Sequence, residues 1–244
     1  MADTIDGPLF VEFYGLPGCG KSTISHFVAQ RLSNEGFTIA EPSYLYDHQA
    51  PLRRKVFKFL LGVFFLFSQC KLYNRVNAIV KKNGYRGLER FSQIVNVLNK
   101  VDVYRRPHSN GVILWDQGLI QACVSLSTNG IINASENVSN LFKFVPTDVI
   151  IIGVFIDVSE ELALERMGMR KTNDSRVEKL KDDREKKIML SKIREDISEA
   201  RNAFLEIGEE FRPKSLDSLD KLTDEVYHFV KNQLIINTTR EIII

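Results

Sequence analysis

The chain has 244 residues, of which 44% are hydrophobic and 26% charged, and its 33 Lys and Arg residues nearly balance 31 Asp and Glu residues. These proportions are typical of an ordinary globular protein and exclude a disordered or fibrous chain. About one domain is expected for every 150 residues or so, which predicts a single domain over residues 1–244 with a substantial core.

Two features of the sequence indicate a reducing compartment. The three cysteines, Cys19, Cys70 and Cys123, are odd in number and widely spaced, a pattern typical of neither a disulfide framework nor a zinc site. The first ten residues, MADTIDGPLF, lack the basic start and the apolar run of a signal peptide. The sequence therefore predicts a cytoplasmic protein.

Short apolar runs that suit strands alternate with helical patterns along the chain. The predicted strands cover residues 8–14, 37–40, 112–115 and 149–156, with a weaker candidate at 211–216, and helices are predicted over 21–32 and 223–234. The run 149–156 is apolar at consecutive positions, which is typical of a central parallel strand covered on both faces. The alternation predicts an α/β fold with a parallel sheet between two layers of helices.

The long stretch between the second and third predicted strands, residues 42–110, is predicted to be a helical insertion. Residues 56–67 within it form an apolar run broken by Lys58, and they are too few for a membrane-spanning helix, which needs about 20 residues. We interpret this run as a buried helix. A peripheral membrane contact beside Arg53, Arg54 and Lys55 is the less favoured alternative.

Charge is distributed unevenly along the chain. Residues 51–106 contain thirteen basic and two acidic residues, a net charge of +11, so the other residues must carry −9 to give the total of +2. A basic block of this size indicates either a surface that faces an anion or a set of solvated helix faces.

A phosphate-binding loop is predicted at residues 15–22. These residues match the pattern G-x-x-x-x-G-K-[ST], and they stand between a predicted strand and a predicted helix, as the pattern requires. Glycines permit the backbone angles that turn successive N–H groups toward phosphate oxygens, Lys21 is expected to reach the β- and γ-phosphates, and the Ser22 hydroxyl is expected to ligate Mg²⁺. The loop residues predicted to bind ATP are Gly15, Gly18, Cys19, Gly20, Lys21, Ser22 and Thr23.

Asp116 is the second predicted metal residue. It directly follows the apolar run 112–115, and a carboxylate at the end of such a strand in a phosphate-loop protein typically holds the Mg²⁺ shell. The alternative is an aspartate that caps the next helix.

A lid is predicted over residues 159–190. Ser159 can cap a helix that presents Arg166 and Arg170 on one face, because residues four apart are neighbours on a helix. A polar stretch up to Arg176 follows. Arginines spread over triphosphate oxygens neutralise the charge that develops during transfer, so we predict catalytic roles for Arg166 and Arg170 and ATP binding by Arg170 and Arg176. Surface charges paired with nearby acids are the alternative.

The chain resembles P-loop nucleoside and nucleotide kinases of the thymidylate kinase type. The resemblance rests on GLPGCGKST, on Glu41-Pro42 after the second strand, on Asp116-Gln117 after the third and on the arginine-rich lid, and it covers about residues 8–235. It implies a three-layer αβα P-loop kinase fold with a five-stranded parallel sheet of order 2-3-1-4-5 and a helical lid. It also implies Mg-ATP as the donor and an acceptor pocket between the second and third strands.

The departures from the family pattern concern the acceptor. Thymidylate kinases usually carry arginines at the positions of Ala40 and Gln117, and those arginines serve the acceptor phosphate or its orientation. Nucleoside kinases carry a Glu at the end of the second strand, and on that likeness Glu41 would be a base that accepts a hydroxyl proton. Arg53 and Arg54 could replace the missing arginines, and Tyr44 could stack on a base. The predicted substrate residues are Glu41, Tyr44, Arg53, Arg54 and Gln117.

We therefore interpret the chain as an ATP-dependent kinase in which Lys21, Glu41 and Asp116 are catalytic and a small molecule, nucleoside or nucleotide, is the acceptor. One alternative is a kinase that docks a polynucleotide end or another anionic or surface-bound acceptor on the basic block, which would make activity strongly salt-dependent. A second is a non-kinase triphosphatase switch, although no guanine-specific Asn-Lys-X-Asp motif is present. A homodimer is also compatible with the sequence.

Overall fold

A five-stranded parallel sheet lies at the centre of the protein. The computed structural model describes residues 9–42, 51–106, 111–128, 130–169, 175–216 and 218–242. The strands are β1 (Leu9–Gly15), β2 (Ile39–Ala40), β3 (Val112–Trp115), β4 (Ile150–Ile156) and β5 (Glu209–Phe211). Their order is 2-3-1-4-5 and every pairing is parallel. The predicted sheet order is therefore confirmed.

Helices cover both faces of this sheet. The described helices are α1 (Lys21–Asn34), α2 (Pro51–Ser68), α3 (Cys70–Lys82), α4 (Gly87–Arg105), α5 (Leu119–Ser127), α6 (Ala134–Leu141), α7 (Glu160–Gly168), α8 (Asp183–Phe204) and α9 (Leu219–Ile242). Helix α1 packs against α9, whereas α5 packs against β1, α4 and α8. The architecture is the three-layer α/β fold of P-loop kinases, as predicted.

Strand β1 is the most enclosed element of the core, because it has a neighbouring strand on each side and helices above and below. All seven of its residues are buried. Its aromatic side chains pack in pairs, with the Phe10 ring 4.5 Å from that of Tyr104 and the Tyr14 ring 5.1 Å from that of Phe155. The one charged residue within this strand is Glu12, which is fully buried.

Residues 51–106 of the predicted helical insertion form α2, α3 and α4. The interpretation of the apolar run as a buried helix is wrong for much of its described part, since Leu60, Phe64 and Phe67 are 59%, 53% and 81% exposed. The physical reason is the helical period: the face with Phe65 and Gly62 packs inward against α4, which turns the opposite face outward. Among the described residues, no helix has both the length and the apolarity to cross a bilayer.

The fifth strand lies earlier in the sequence than predicted. It covers Glu209–Phe211, so only Phe211 of the predicted strand 211–216 belongs to it. Pro213 follows shortly afterwards, and a proline cannot donate a hydrogen bond to a neighbouring strand. Phe211 instead anchors the strand end by stacking on Phe229 of α9 at 4.1 Å.

Candidate active site

The loop between β1 and α1 has the backbone shape that its glycines allow. Gly18 has φ of 85° and lies so close to α7 that a Cβ there would approach the Ala163 carbonyl to 2.5 Å. Gly20 has φ of 102° and precedes α1, which begins without a capping side chain. The first helical residues, Lys21 and Ser22, line a cavity. The helix N-terminus therefore faces that cavity with its positive dipole end, as phosphate binding requires.

Lys21 lies across its own loop. Its ammonium group donates hydrogen bonds to the carbonyl oxygens of Gly15 at 3.0 Å and Leu16 at 2.9 Å, and it lies 3.5 Å from the Cys19 sulfur. These contacts hold the ammonium beside the loop backbone, where it can move a short distance onto phosphate oxygens.

Ser22 and Asp116 meet at the start of α1. The Ser22 hydroxyl donates a hydrogen bond to the carboxylate of Asp116, which is only 6% exposed at the end of β3. Hydroxyl and carboxylate oxygens are ligands that Mg²⁺ accepts, and this ion is usually held by one or two protein groups together with substrate phosphates and water. The described residues contain no cluster of three or more His, Cys, Asp or Glu side chains suited to a metal ion. The pair therefore fits a Mg²⁺ ion that arrives with phosphates.

The cavity beside the loop has a volume of about 390 Å³. Its lining comes from the phosphate loop, α4, the segment 117–128 that includes α5, the segment 175–177 and α8. Four carboxamide side chains line these walls: Gln93, Asn96, Gln117 and Gln121. Hydroxyl groups add to this polar wall, namely those of Ser125, Thr128 and Ser175. Sequence reasoning singled out only Gln117 of this group.

The lining of the cavity contains few charged side chains. Among the described residues that line it, only Lys21 and Arg176 are positively charged, and none is a carboxylate. Arg176 reaches across the opening, with a guanidinium nitrogen 3.9 Å from the carboxylate of Glu89 in the first turn of α4. Arg176 therefore lines the same cavity as Lys21, and its role in ATP binding stays a prediction.

Arg166 occupies a different place from the predicted one. It does not line the cavity, because its two terminal guanidinium nitrogens donate to the carbonyls of Cys19 and Leu216, each at 3.1 Å. It therefore holds the phosphate loop from behind instead of reaching into the cavity. The sequence indicated an arginine on this helix face but carried no signal for its backbone targets.

Glu41 lies just past the end of β2 and pairs with a histidine. Its carboxylate is 3.2 Å from Nδ1 of His26, a residue to which sequence reasoning gave no role. Burial and the charge of Asp116 raise the pKa of Glu41, while the His26 contact opposes that shift. A carboxylate whose pKa is raised toward neutrality is a better base at physiological pH than an ordinary one.

The remaining predicted site residues contribute less to this geometry or lie outside it. Cys19 is buried beneath the loop and Thr23 is exposed on α1, and neither lines the cavity. Tyr44 and Arg170 lie outside the described residues, as do the side chains of Arg53 and Arg54 within α2. The structure thus brings together Gly18, Gly20, Lys21, Ser22, Asp116, Gln117 and Arg176.

Solved structures share the overall arrangement of this chain. Deoxyadenosine kinase from M. mycoides with bound dATP superposes with a TM-score of 0.53 at 15% identity, over 91% of this chain and 98% of that one. The same enzyme with the products dCMP and a flexible dCDP bound gives 0.52 at 14% identity, with the same coverage. At this identity the likeness shows the fold alone. No protein-family model and no curated protein sequence matches the chain.

Proposed function

We propose that this protein transfers the γ-phosphate of ATP to a hydroxyl group of an uncharged small acceptor, and that the acceptor is a nucleoside. The observation that carries this proposal is the lining of the cavity, which combines the phosphate loop, Lys21 and Arg176 with four uncharged carboxamide side chains. A triphosphate tail suits the loop and its two cations.

The four carboxamides suit the edge of a nucleobase. A carboxamide offers both donors and an acceptor, so neighbouring Gln and Asn side chains can match the mixed donor and acceptor pattern of a base. An acceptor that already carries a phosphate would require further cations, which the described wall does not supply. The volume of about 390 Å³ lies within the range of small-molecule sites. The deoxyadenosine kinase of the same fold binds dATP, dCMP and dCDP, which supports a ligand of the nucleoside or nucleotide class.

The basic block does not support an anionic acceptor in this cavity. Its described residues that line the cavity, Gln93 and Asn96, are uncharged. Lys71, Arg75 and Lys82 on α3 are exposed instead. These cations belong to a helix surface rather than to the cavity wall, which favours the solvated-face interpretation.

The protein's own residues account for alignment and for charge stabilisation. Lys21 would move from the loop carbonyls to phosphate oxygens, and Arg176 would neutralise charge that develops on the transferred group. Ser22 and Asp116 would hold Mg²⁺, which, when bound, neutralises phosphate charge. Glu41 does not line this cavity, and its assignment as the base for the acceptor hydroxyl rests on the likeness to nucleoside kinases.

Labelled ATP and a panel of acceptors test this function directly. The panel contains nucleosides, nucleoside monophosphates, sugars and an oligonucleotide with a free 5′-hydroxyl. We expect label on a nucleoside, with a rate that changes little between low and moderate salt. Preferential labelling of a monophosphate or of the oligonucleotide would contradict the proposal, as would ATP hydrolysis that no acceptor stimulates.

Replacing one carboxamide tests whether the carboxamides of the cavity bind the acceptor. We expect Asn96→Leu to raise KM for the nucleoside roughly tenfold, because one hydrogen bond to a buried polar group is lost, while KM for ATP stays unchanged. Asn99→Leu is the matched control, since Asn99 is on the same helix but does not line the cavity. Initial rates over a range of both substrates give the two constants. Equal effects of the two substitutions would remove Asn96 from the acceptor site.

A further inference from the structure

The carboxylate of Glu12 is buried in the middle of the sheet, although the proposed chemistry does not use it. It is 0% exposed on β1, three residues before the phosphate loop. Its oxygens accept hydrogen bonds from the backbone amides of Leu119 at 2.7 Å and Ile120 at 2.8 Å, and from the Tyr104 hydroxyl. A buried charge is tolerated only with partners of this kind.

Both amides belong to the first turn of α5. That helix has Gly118 at its N-cap position, and no side chain of the cap residue bonds to the turn. The first amides of a helix lack partners within the helix, so Glu12 supplies from the neighbouring strand the acceptor that a local Ser, Asp or Asn would otherwise provide. Carboxylate charge also interacts favourably with the positive end of the helix dipole.

Glycine at position 118 makes this contact sterically possible. A Cβ there would lie 2.1 Å from the carboxyl carbon of Glu12, so no other residue could stand at this position without displacing the carboxylate. The absent side chain and the buried carboxylate are therefore complementary parts of one contact between β1 and α5.

The segment that Glu12 anchors is the one that carries two parts of the site. Asp116 lies two residues before Gly118 and contacts Ser22, whereas Gln117 and Gln121 line the cavity. Gln121 also accepts a hydrogen bond from the amide of Gly15 at 3.4 Å. Asp116 and Gln121 therefore connect the two ends of the segment 116–121 to the phosphate loop and its helix, and Glu12 connects the middle of the segment to β1.

We infer that Glu12 is a positioning residue: by capping α5 from β1, it fixes Asp116 against Ser22 and sets the carboxamides of Gln117 and Gln121 toward the acceptor. This inference rests on the proposed function for the acceptor part, while the placement of Asp116 can be tested without any transfer. Because Glu12 belongs to β1, a single residue of this strand positions both the proposed metal ligand Asp116 and the carboxamides proposed to bind the acceptor.

The surroundings of Glu12 make its charge sensitive to pH near neutrality. Burial raises the pKa of Glu12 to about 7, opposed by the amides of Ile120 and Leu119 and by the charge of Lys100. The groups that face it are Lys100 and Tyr104 on α4 and Cys123 on α5. The ionised form accepts all three hydrogen bonds best, so capping strengthens as pH rises through about 7.

The test compares Glu12→Gln with Asn133→Ala. Glutamine preserves volume but presents one amide donor to the helix amides, so one of the two bonds is lost. Asn133 caps α6 by accepting from the Glu136 amide, and α6 does not line the cavity, so this variant is a matched loss of a helix cap elsewhere. Three quantities are measured: the rate of amide hydrogen exchange at residues 119 and 120, the affinity for ATP in EDTA and in Mg²⁺, and kcat/KM for the acceptor.

For Glu12→Gln we expect roughly tenfold faster exchange at residues 119 and 120, unchanged ATP affinity in EDTA, and a several-fold smaller gain in affinity from Mg²⁺. The acceptor kcat/KM should fall roughly tenfold or more, and the rise of kcat/KM through about pH 7 should disappear. Asn133→Ala should leave unchanged both the increase in ATP affinity that Mg²⁺ causes (the Mg²⁺ gain) and kcat/KM for the acceptor. A Glu12→Gln variant with the wild-type Mg²⁺ gain and pH profile would overturn the inference.

Failure of the proposed function, or failure of the variant to fold, can be distinguished from failure of the inference about Glu12. If the wild-type protein labels no acceptor, the proposed function fails, but the Mg²⁺ gain and the amide exchange still decide the role of Glu12. If Glu12→Gln does not fold, Tyr104→Phe replaces it, since that change removes one donor to the carboxylate and keeps both helix amides. It should then move the rise in kcat/KM, or in the Mg²⁺ gain, to higher pH. An unmoved profile would overturn the inference.

Discussion

Replacing Lys21 should abolish phosphoryl transfer while leaving the fold intact. We expect Lys21→Ala and Lys21→Met to lower kcat by roughly 10³-fold, because the ammonium is the cation of the phosphate loop and stabilises charge on the transferred group. The loss should be largely in kcat and not in folding, since Lys21 is only partly buried and its hydrogen bonds are to atoms of its own loop. Product formation from labelled ATP and near-ultraviolet circular dichroism measure the two effects.

Lys71→Ala is the control for this result. Lys71 is exposed on α3 and lies outside the cavity, so its removal should leave kcat unchanged at moderate salt. The Met variant retains the apolar stem of the lysine and separates loss of charge from loss of packing. If Lys21→Met keeps turnover within about tenfold of the wild type, the ammonium is not the stabilising cation, and the assignment of this loop to catalysis is wrong.

Replacing Asp116 should have the next largest effect. We expect Asp116→Asn to lower the Mg²⁺-dependent rate by roughly 10²-fold and to raise the Mg²⁺ concentration needed for half of the maximal rate, because a neutral amide is a poorer ligand than a carboxylate. Asparagine keeps the size of the side chain and can still bond to Ser22, so the loss reports charge. Initial rates over a range of Mg²⁺ concentrations give both values.

The same substitution makes a prediction about the base. The charge of Asp116 contributes to the raised pKa of Glu41, so removing it should lower that pKa and move the acid limb of the rate profile to lower pH. Asp148→Asn, on an exposed residue, is the control and should change neither the Mg²⁺ requirement nor the profile. A variant with wild-type Mg²⁺ dependence would remove Asp116 from the proposed metal site.

The parts of the site that could be predicted are local in sequence. The phosphate loop is specified by glycines and a lysine within eight consecutive residues, and Asp116 is marked by its place at the end of an apolar strand. Both positions follow from rules about neighbouring residues, and the parallel sheet then brings the carboxyl ends of β1 and β3 to the same edge. The sheet order itself came from the resemblance and is confirmed.

The parts that could not be predicted depend on residues far apart in the chain. Gln93 and Asn96 lie on an ordinary helix, and only the packing of α4 on α5 turns them toward the phosphate loop. Arg166 was expected over the triphosphate because sequence indicates charge but not the carbonyl oxygens that accept from it. Glu12 is a single charged residue inside an apolar run, and its partners lie more than 90 residues away.

Two elements were misjudged because the hydrophobic pattern of a segment does not fully determine its burial. Strand β5 contains Glu209 and Glu210, so its residues carry little apolar signal, and it is short and pairs on one side only. Helix α2 shows the opposite case: its run is apolar all round, which favours burial. Only one face of the described part meets α4, and sequence does not say how many neighbours a helix has.

Arg166 connects the phosphate loop to the carboxyl-terminal part of the chain, because it donates to the carbonyls of both Cys19 and Leu216. Leu216, its second backbone partner, stands three residues before α9, and Leu219 at the start of that helix lies beside Gly20. If the loop binds ATP as proposed, these contacts should link nucleotide affinity to the anchoring of the last helix. A truncation before α9 should weaken ATP binding even though it deletes no residue that touches the ligand, and bound ATP should in turn protect this end of the protein from proteolysis.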